Sequence, residues 1–185
     1  FIFGETLRKL GERLPSCHIE VLIPDFQGHW RDLRYVLEAK PAVLNHNIET
    51  VRRVFHSVRP KGDYDLSLEL LRQSKELAPH IPTKSGIMVG LGETKDEMLE
   101  TMADLRTVGC DLLTIGQYLQ PSVKHYPLKR YVHPDEFKEL KLIALAKGFL
   151  MVASSPLTRS SYHADEDFLK LKKLREKESQ CHLLQ

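Results

Sequence analysis

The stretch Ser85-Gly86-Ile87-Met88-Val89-Gly90-Leu91-Gly92-Glu93-Thr94 decides the fold. Its apolar half reads as a strand over 85–89, the glycines stop that strand, and Thr94 with Glu97 three residues on has the capping-box spacing that opens a helix. The same alternation recurs on both sides. Ile19-Glu20-Val21-Leu22-Ile23 ends in Pro24-Asp25-Phe26, Ala42-Val43-Leu44 ends in Asn45-His46-Asn47, and Leu112-Leu113-Thr114-Ile115 ends in Gly116-Gln117-Tyr118. A helix-like stretch follows each, and a fifth strand is expected over 149–153. Strands alternating with helices predict an α/β fold with a parallel sheet and right-handed crossovers. Five strands fall short of the eight of a closed (β/α) barrel, so the expectation is a partial, incomplete TIM-type barrel of parallel strands.

The helices have their own punctuation. Residues 5–14 stop at Pro15, 30–37 carry Trp30, Leu33, Val36 and Leu37 at helical spacing, and 48–58 carry Val51, Val54, Phe55 and Val58 on one face, with Asn47 as a candidate cap. Asp65 reads as the N-cap of a helix over 66–77. The helix opened at Thr94 runs through Leu105 and stops by Gly109, and Pro134-Asp135-Glu136 starts another that runs to Lys147. The domain expectation is a partial barrel over 1–164 and a charged, helical tail over 165–185.

A chain of 185 residues can bury one good core, and a net charge of +2 spread over both signs leaves no basic face for nucleic acid. No run approaches the ~18 apolar residues of a membrane span, so the expectation is a soluble protein of bacterial cytoplasm or an organelle matrix. The chain lacks an initiating Met and opens directly into a helical pattern, which predicts a fragment of a larger domain. Cys17, Cys110 and Cys181 stand singly, which suggests neither a metal knuckle nor a disulfide framework and favours a reducing compartment.

In parallel sheets chemistry gathers at the carboxyl ends of the strands, so the polar bursts there are the candidate site. Gly86, Gly90 and Gly92 with Glu93 either let a flat ligand approach the backbone or make a tight turn in which Glu93 helps cap the next helix. Asn45, Asn47 and Glu49 suit a ribose or an amino-acid head group, and the competing reading is an Asx turn. Gln117, Tyr118, Gln120 and Ser122 offer a polar lining, and Asp25 is the one carboxylate at the first strand end. Arg159-Ser160-Ser161-Tyr162 could hold an anion or a nucleophile, or form an ordinary ST turn. Lys84 is a conceivable Schiff-base lysine of an unrelated barrel lyase.

Taken together, Val21-Leu22-Ile23-Pro24-Asp25-Phe26, Asn45-His46-Asn47-Ile48-Glu49-Thr50, Val58-Arg59-Pro60, the run from Lys84 to Glu93, Gly116-Gln117-Tyr118-Leu119-Gln120-Pro121-Ser122 and Arg159-Ser160-Ser161-Tyr162 resemble lipoyl synthase, a radical S-adenosylmethionine family. The resemblance runs from about Cys17 to Ala164 and implies the carboxyl-terminal part of such an enzyme. It implies insertion of two sulfur atoms at C6 and C8 of an octanoyl chain on a lipoyl carrier protein, with a reducing electron donor. It also implies S-adenosylmethionine and two four-iron four-sulfur clusters held by C-x4-C-x5-C and C-x3-C-x2-C cysteine sets. One cluster cleaves S-adenosylmethionine to a radical, and the other supplies the sulfur.

Neither cysteine set occurs in this sequence, so the chain alone is expected to be inactive. By the same resemblance Asn47, Glu49, Gly90, Gly92 and Glu93 contact S-adenosylmethionine, and Ser161, or less well Ser160, is an auxiliary-cluster ligand. Gln117, Tyr118 and Arg159 are the expected substrate contacts. A non-catalytic module that keeps a carrier-binding surface is the alternative function.

Overall fold

The structure is a computed structural model and describes residues 1–159. The expected helical tail, Ser160 and Ser161 lie outside the described residues.

Among the described residues, five strands form one parallel sheet in chain order: β1 Glu20–Leu22, β2 Val43–Asn45, β3 Thr83–Val89, β4 Leu112–Gln117 and β5 Met151–Ser154. The helices are α1 Ile2–Arg13, α2 Trp30–Glu38, α3 Arg52–Val58, α4 Tyr64–Leu77, α5 Lys95–Thr107 and α6 Pro134–Ala146. No helix among the described residues is long and apolar enough to cross a membrane. The arrangement is the expected open, parallel partial barrel.

Strand register sorts the side chains into two faces. Val21, Leu44, Ile87, Leu113, Ile115 and Val152 point to the helices and join the two main cores. Leu44, Leu70, Leu71, Met102, Leu105, Leu113 and Ile115 are fully buried there, each contributing about 1.5–3 kcal/mol. The opposite face carries rows across the strands: Asn45, Lys84, Leu112 and Met151, then Gly86, Thr114 and Ala153, then Met88 and Gly116. Polar and glycine positions therefore share the concave side.

Element ends correct five readings. The helix expected from Ile48 begins at Arg52, because the preceding backbone is used in the sheet: Ile48 N donates to Ser85 Oγ, Glu49 N to Gly86 O, and Met88 N to Glu49 O. Asn47 therefore caps nothing, and Val51 holds the N-cap position. Asp63, not Asp65, caps α4 by accepting from Leu66 N, while Asp65 pairs with Arg52. Strand β4 runs on to Gln117, and β3 begins at Thr83. The Thr94–Glu97 capping box is present in full, held by Arg53, which keeps the Glu97 carboxyl down at about 2.

Candidate functional site

A cavity of about 410 Å³ opens at the carboxyl ends of β2, β3 and β4. Gly86 forms part of its wall: a Cβ there would lie 2.8 Å from Asn47 Oδ1 and 2.9 Å from Thr114 Oγ1, so only glycine leaves those two oxygens their places. Met88 and Gly116 line it further towards the rim, and the chain after β5 closes against it so tightly that a Cβ at Gly116 would meet Thr158 O at 2.4 Å. Val58, Leu119 and Tyr126 add apolar surface.

The end of β2 contributes the polar wall. Glu49 sits in the left-handed region at φ +70°, where a non-glycine residue is strained, and the parallel bridge to Ile87 holds it there. Burial pushes its carboxyl up from the ordinary value, opposed by the Arg59 guanidinium 3.0 Å away and by a hydrogen bond from Asn47. Among the described residues, buried side-chain polar atoms without a partner occur only between Asn45 and Thr50: Asn45 Oδ1, His46 Nε2, Asn47 Oδ1 and Thr50 Oγ1. Each such atom costs about 1–3 kcal/mol, so their concentration marks a place built for something other than stability. His46 bonds through Nδ1 to Ile23 O at 2.9 Å, and burial lowers its pKa.

The ends of β3 and β4 behave differently. Glu93 accepts from Gly90 N and Leu91 N, both at 2.8 Å, and so staples its own turn rather than capping α5. Gly90 and Gly92 have φ of +97° and +94°, and neither they nor Glu93 line the cavity. Gln117 lines it, but its amide is engaged at both ends. Nε2 donates to Val89 O, Tyr118 O and Arg130 O at 3.0–3.1 Å, and Oε1 accepts from Val132 N. Tyr118, whose hydroxyl donates to Tyr126 O at 2.7 Å, and Arg159 also line the cavity.

Of the expected site residues, the structure thus brings Asn47, Glu49, Gln117, Tyr118 and Arg159 to one cavity and leaves Gly90, Gly92 and Glu93 beside it. Arg59 and Thr114 join them, and neither was expected. The register of β3 with β4 turns Thr114 inward, and the end of α3 brings Arg59 back onto Glu49. Asp25 is occupied by Gln27 N. Lys84 is buried beneath the cavity, where Glu20 accepts from it at 3.0 Å and from Asn45 at 2.9 Å, so it presents no amine to the lining.

No group of three or more His, Cys, Asp or Glu among the described residues is arranged to hold a metal ion. Cys17 is exposed, and Cys110 is buried with its thiol pushed up to about 12. The described residues therefore do not fit an iron–sulfur cluster, whereas the cavity wall, with the unsatisfied Asn47 oxygen beside Glu49 and Arg59, fits an organic ligand.

Fold and cavity together define an open, parallel (β/α) barrel with a partly polar cavity at the carboxyl rim of its strands. The sequence profile of the Radical SAM superfamily matches residues 3–105, more than half of the chain, and the chain belongs to that superfamily. S-adenosylmethionine and iron–sulfur chemistry come with that membership.

The chain is 56% identical over 165 residues to the lipoyl synthase of Halalkalibacterium halodurans, which covers 89% of this chain and 54% of that protein. It is 54% identical over 175 residues to that of Geobacillus kaustophilus, covering 95% and 59%, and 57% identical over 165 residues to that of Bacillus cytotoxicus, covering 89% and 55%. The chain thus spans somewhat over half the length of these curated relatives. Among solved structures it resembles methylornithine synthase, with a TM-score of 0.60 at 16% identity over 88% of this chain and 56% of the other, a likeness of fold alone.

Proposed function

We propose that this chain carries the S-adenosylmethionine and substrate cavity of a lipoyl synthase. The activity would be insertion of two sulfur atoms at C6 and C8 of an octanoyl group held on a lysine of a lipoyl carrier protein. The observation that carries the reading is the cavity's mixed lining, in which the unsatisfied Asn47 oxygen and the Glu49–Arg59 pair share one space with Met88, Leu119 and Tyr126. The identity of 52–57% to lipoyl synthases supports it.

S-adenosylmethionine has an ammonium, a carboxylate, ribose hydroxyls and a flat base. Asn47 Oδ1 and the Glu49 carboxyl accept from its hydroxyls or ammonium, and Arg59 complements its carboxylate. The glycine wall at Gly86 lets a flat group lie close to β3. When bound, S-adenosylmethionine supplies the hydrogen-abstracting power that lets sulfur replace unreactive C–H bonds. Tyr118 and Arg159 serve the acyl substrate from the same lining. Gly90, Gly92, Glu93 and Gln117 act as the frame, since their polar groups and backbone conformations are spent on the turn and the loop. The assignment of Ser161 to a cluster, and the two-cluster complement itself, rest on the family resemblance.

The test uses the protein expressed from its complete reading frame, reconstituted with iron and sulfide, and given S-adenosylmethionine, a strong reductant and an octanoylated carrier peptide. Mass spectrometry should show the peptide gaining two sulfur atoms. Cleavage of S-adenosylmethionine without any sulfur on the peptide would refute the reading in favour of another superfamily activity.

A further inference from the structure

Residues 118–131 form a loop whose ends Gln117 ties together and whose interior Gln120 ties again, donating to Ser122 O and His125 O and accepting from Leu128 N. A side chain bonded at three backbone points fixes the loop's shape before any partner arrives, which lowers the ordering cost of docking. The inner side of the loop lines the cavity through Leu119, Pro121, His125 and Tyr126. Its outer side exposes Val123 at 94% and Tyr131 at 73%.

The charge on this loop is one-sided. No Asp or Glu occurs between Asp111 and Asp135. Arg130 is neutralised by Glu136, but no carboxylate among the described residues pairs with Lys124 or Lys129, both exposed. Lys129 Nζ lies 5.6 Å from the ring centroid of Tyr126, a cavity residue, so this positive charge stands beside the cavity.

We propose that residues 118–131 are the docking surface for the protein that carries the acyl chain, and that this partner presents acidic side chains around its modified lysine. The inference rests on the lipoyl synthase reading, which requires a substrate with its reactive chain inside the cavity and its protein body outside. A loop with one side in the cavity wall and the other towards solvent meets that requirement. Lys124 and Lys129 give the electrostatic attraction, and Val123 and Tyr131 the apolar contact.

The experiment compares two substrates on the full-length, cluster-loaded protein: an octanoylated carrier protein and a short octanoylated peptide without acidic residues. The double variant K124E/K129E should raise KM for the carrier about tenfold at low ionic strength, with the difference shrinking in high salt. The peptide's KM, the carrier's kcat and the melting temperature should stay unchanged. A carrier KM untouched by the charge reversal, with both substrates turned over, overturns the docking surface and leaves the lipoyl synthase reading standing. Loss of both substrates together overturns it too, as would equally tight, lysine-dependent retention of a single-stranded DNA oligonucleotide, which would make the loop a general polyanion site. A full-length protein that turns over neither substrate removes the lipoyl synthase reading and the docking surface with it.

Discussion

The end of β2 and the ends of β3 and β4 meet at one rim, yet they treat their polar groups in opposite ways. At β3 and β4 the Glu93 carboxylate and the Gln117 amide are consumed by backbone groups of the protein itself. At β2, the stretch from Asn45 to Thr50 leaves four buried polar atoms without partners and holds Glu49 in a left-handed conformation. Unused hydrogen-bonding capacity costs stability and is retained where a ligand uses it, whereas satisfied capacity builds the walls. The amides of Asn47 and Gln117 thus divide into a candidate ligand contact and a frame residue by whether the protein already uses them.

The largest effect expected from this division lies at Gly90. A Cβ there would meet Gln117 Nε2 at 2.3 Å and Arg130 O at 2.5 Å, and the φ of +97° strains any side chain. Gly90→Ala should cost about 3 kcal/mol or more in chemical denaturation. A cost below about 1 kcal/mol would mean that the turn is not the rigid frame described.

Gln117→Ala comes next, at about 2–3 kcal/mol, because it strands Val132 N, Tyr118 O and Arg130 O together, while Val89 O keeps its bond from Tyr118 N. Limited proteolysis within 118–131 should quicken in parallel. A smaller change should follow from Asn47→Ala, which removes an unsatisfied oxygen along with the one hydrogen bond to Glu49. That variant should lose less than about 1 kcal/mol of stability and about tenfold in affinity for S-adenosylmethionine by calorimetry.

The smallest effect is a pH dependence. Burial raises the Glu49 carboxyl, so the folded state binds that proton more tightly than the unfolded chain does. This contribution is fully present below the ordinary carboxylate value and is lost as pH rises through the raised one. Stability should therefore fall slightly over that window, while affinity for the ammonium-bearing ligand increases as Glu49 ionises. Glu49→Gln should flatten both profiles, read by thermal melts and calorimetry at several pH values, and a wild-type profile already flat would contradict the burial argument.

The parallel sheet was legible because buried parallel strands write themselves as short apolar runs, and each run here ends in residues that cannot continue it. The segment from Ile48 to Val51 was not, because Val51, Val54, Phe55 and Val58 have helical spacing, while the hydrogen bond from Ile48 N to Ser85 Oγ that keeps the backbone extended comes from another strand. The site was half legible for the same reason. Residue type made Asn47, Glu49, Gln117 and Glu93 candidates alike, but only the contacts between Gln117 and Arg130 O, and between Glu93 and the amides of its own turn, show which of them are already spent. Arg59 escaped because its meaning depends on facing Glu49 across the end of α3.

The most direct test observes the side-chain amides of Asn47 and Gln117 by isotope-edited NMR during titration with S-adenosylmethionine. The account predicts that the Asn47 signals shift in step with binding while those of Gln117, locked to Val89, Tyr118 and Arg130, stay in place. Signals of Gln117 that move while those of Asn47 remain fixed would contradict it.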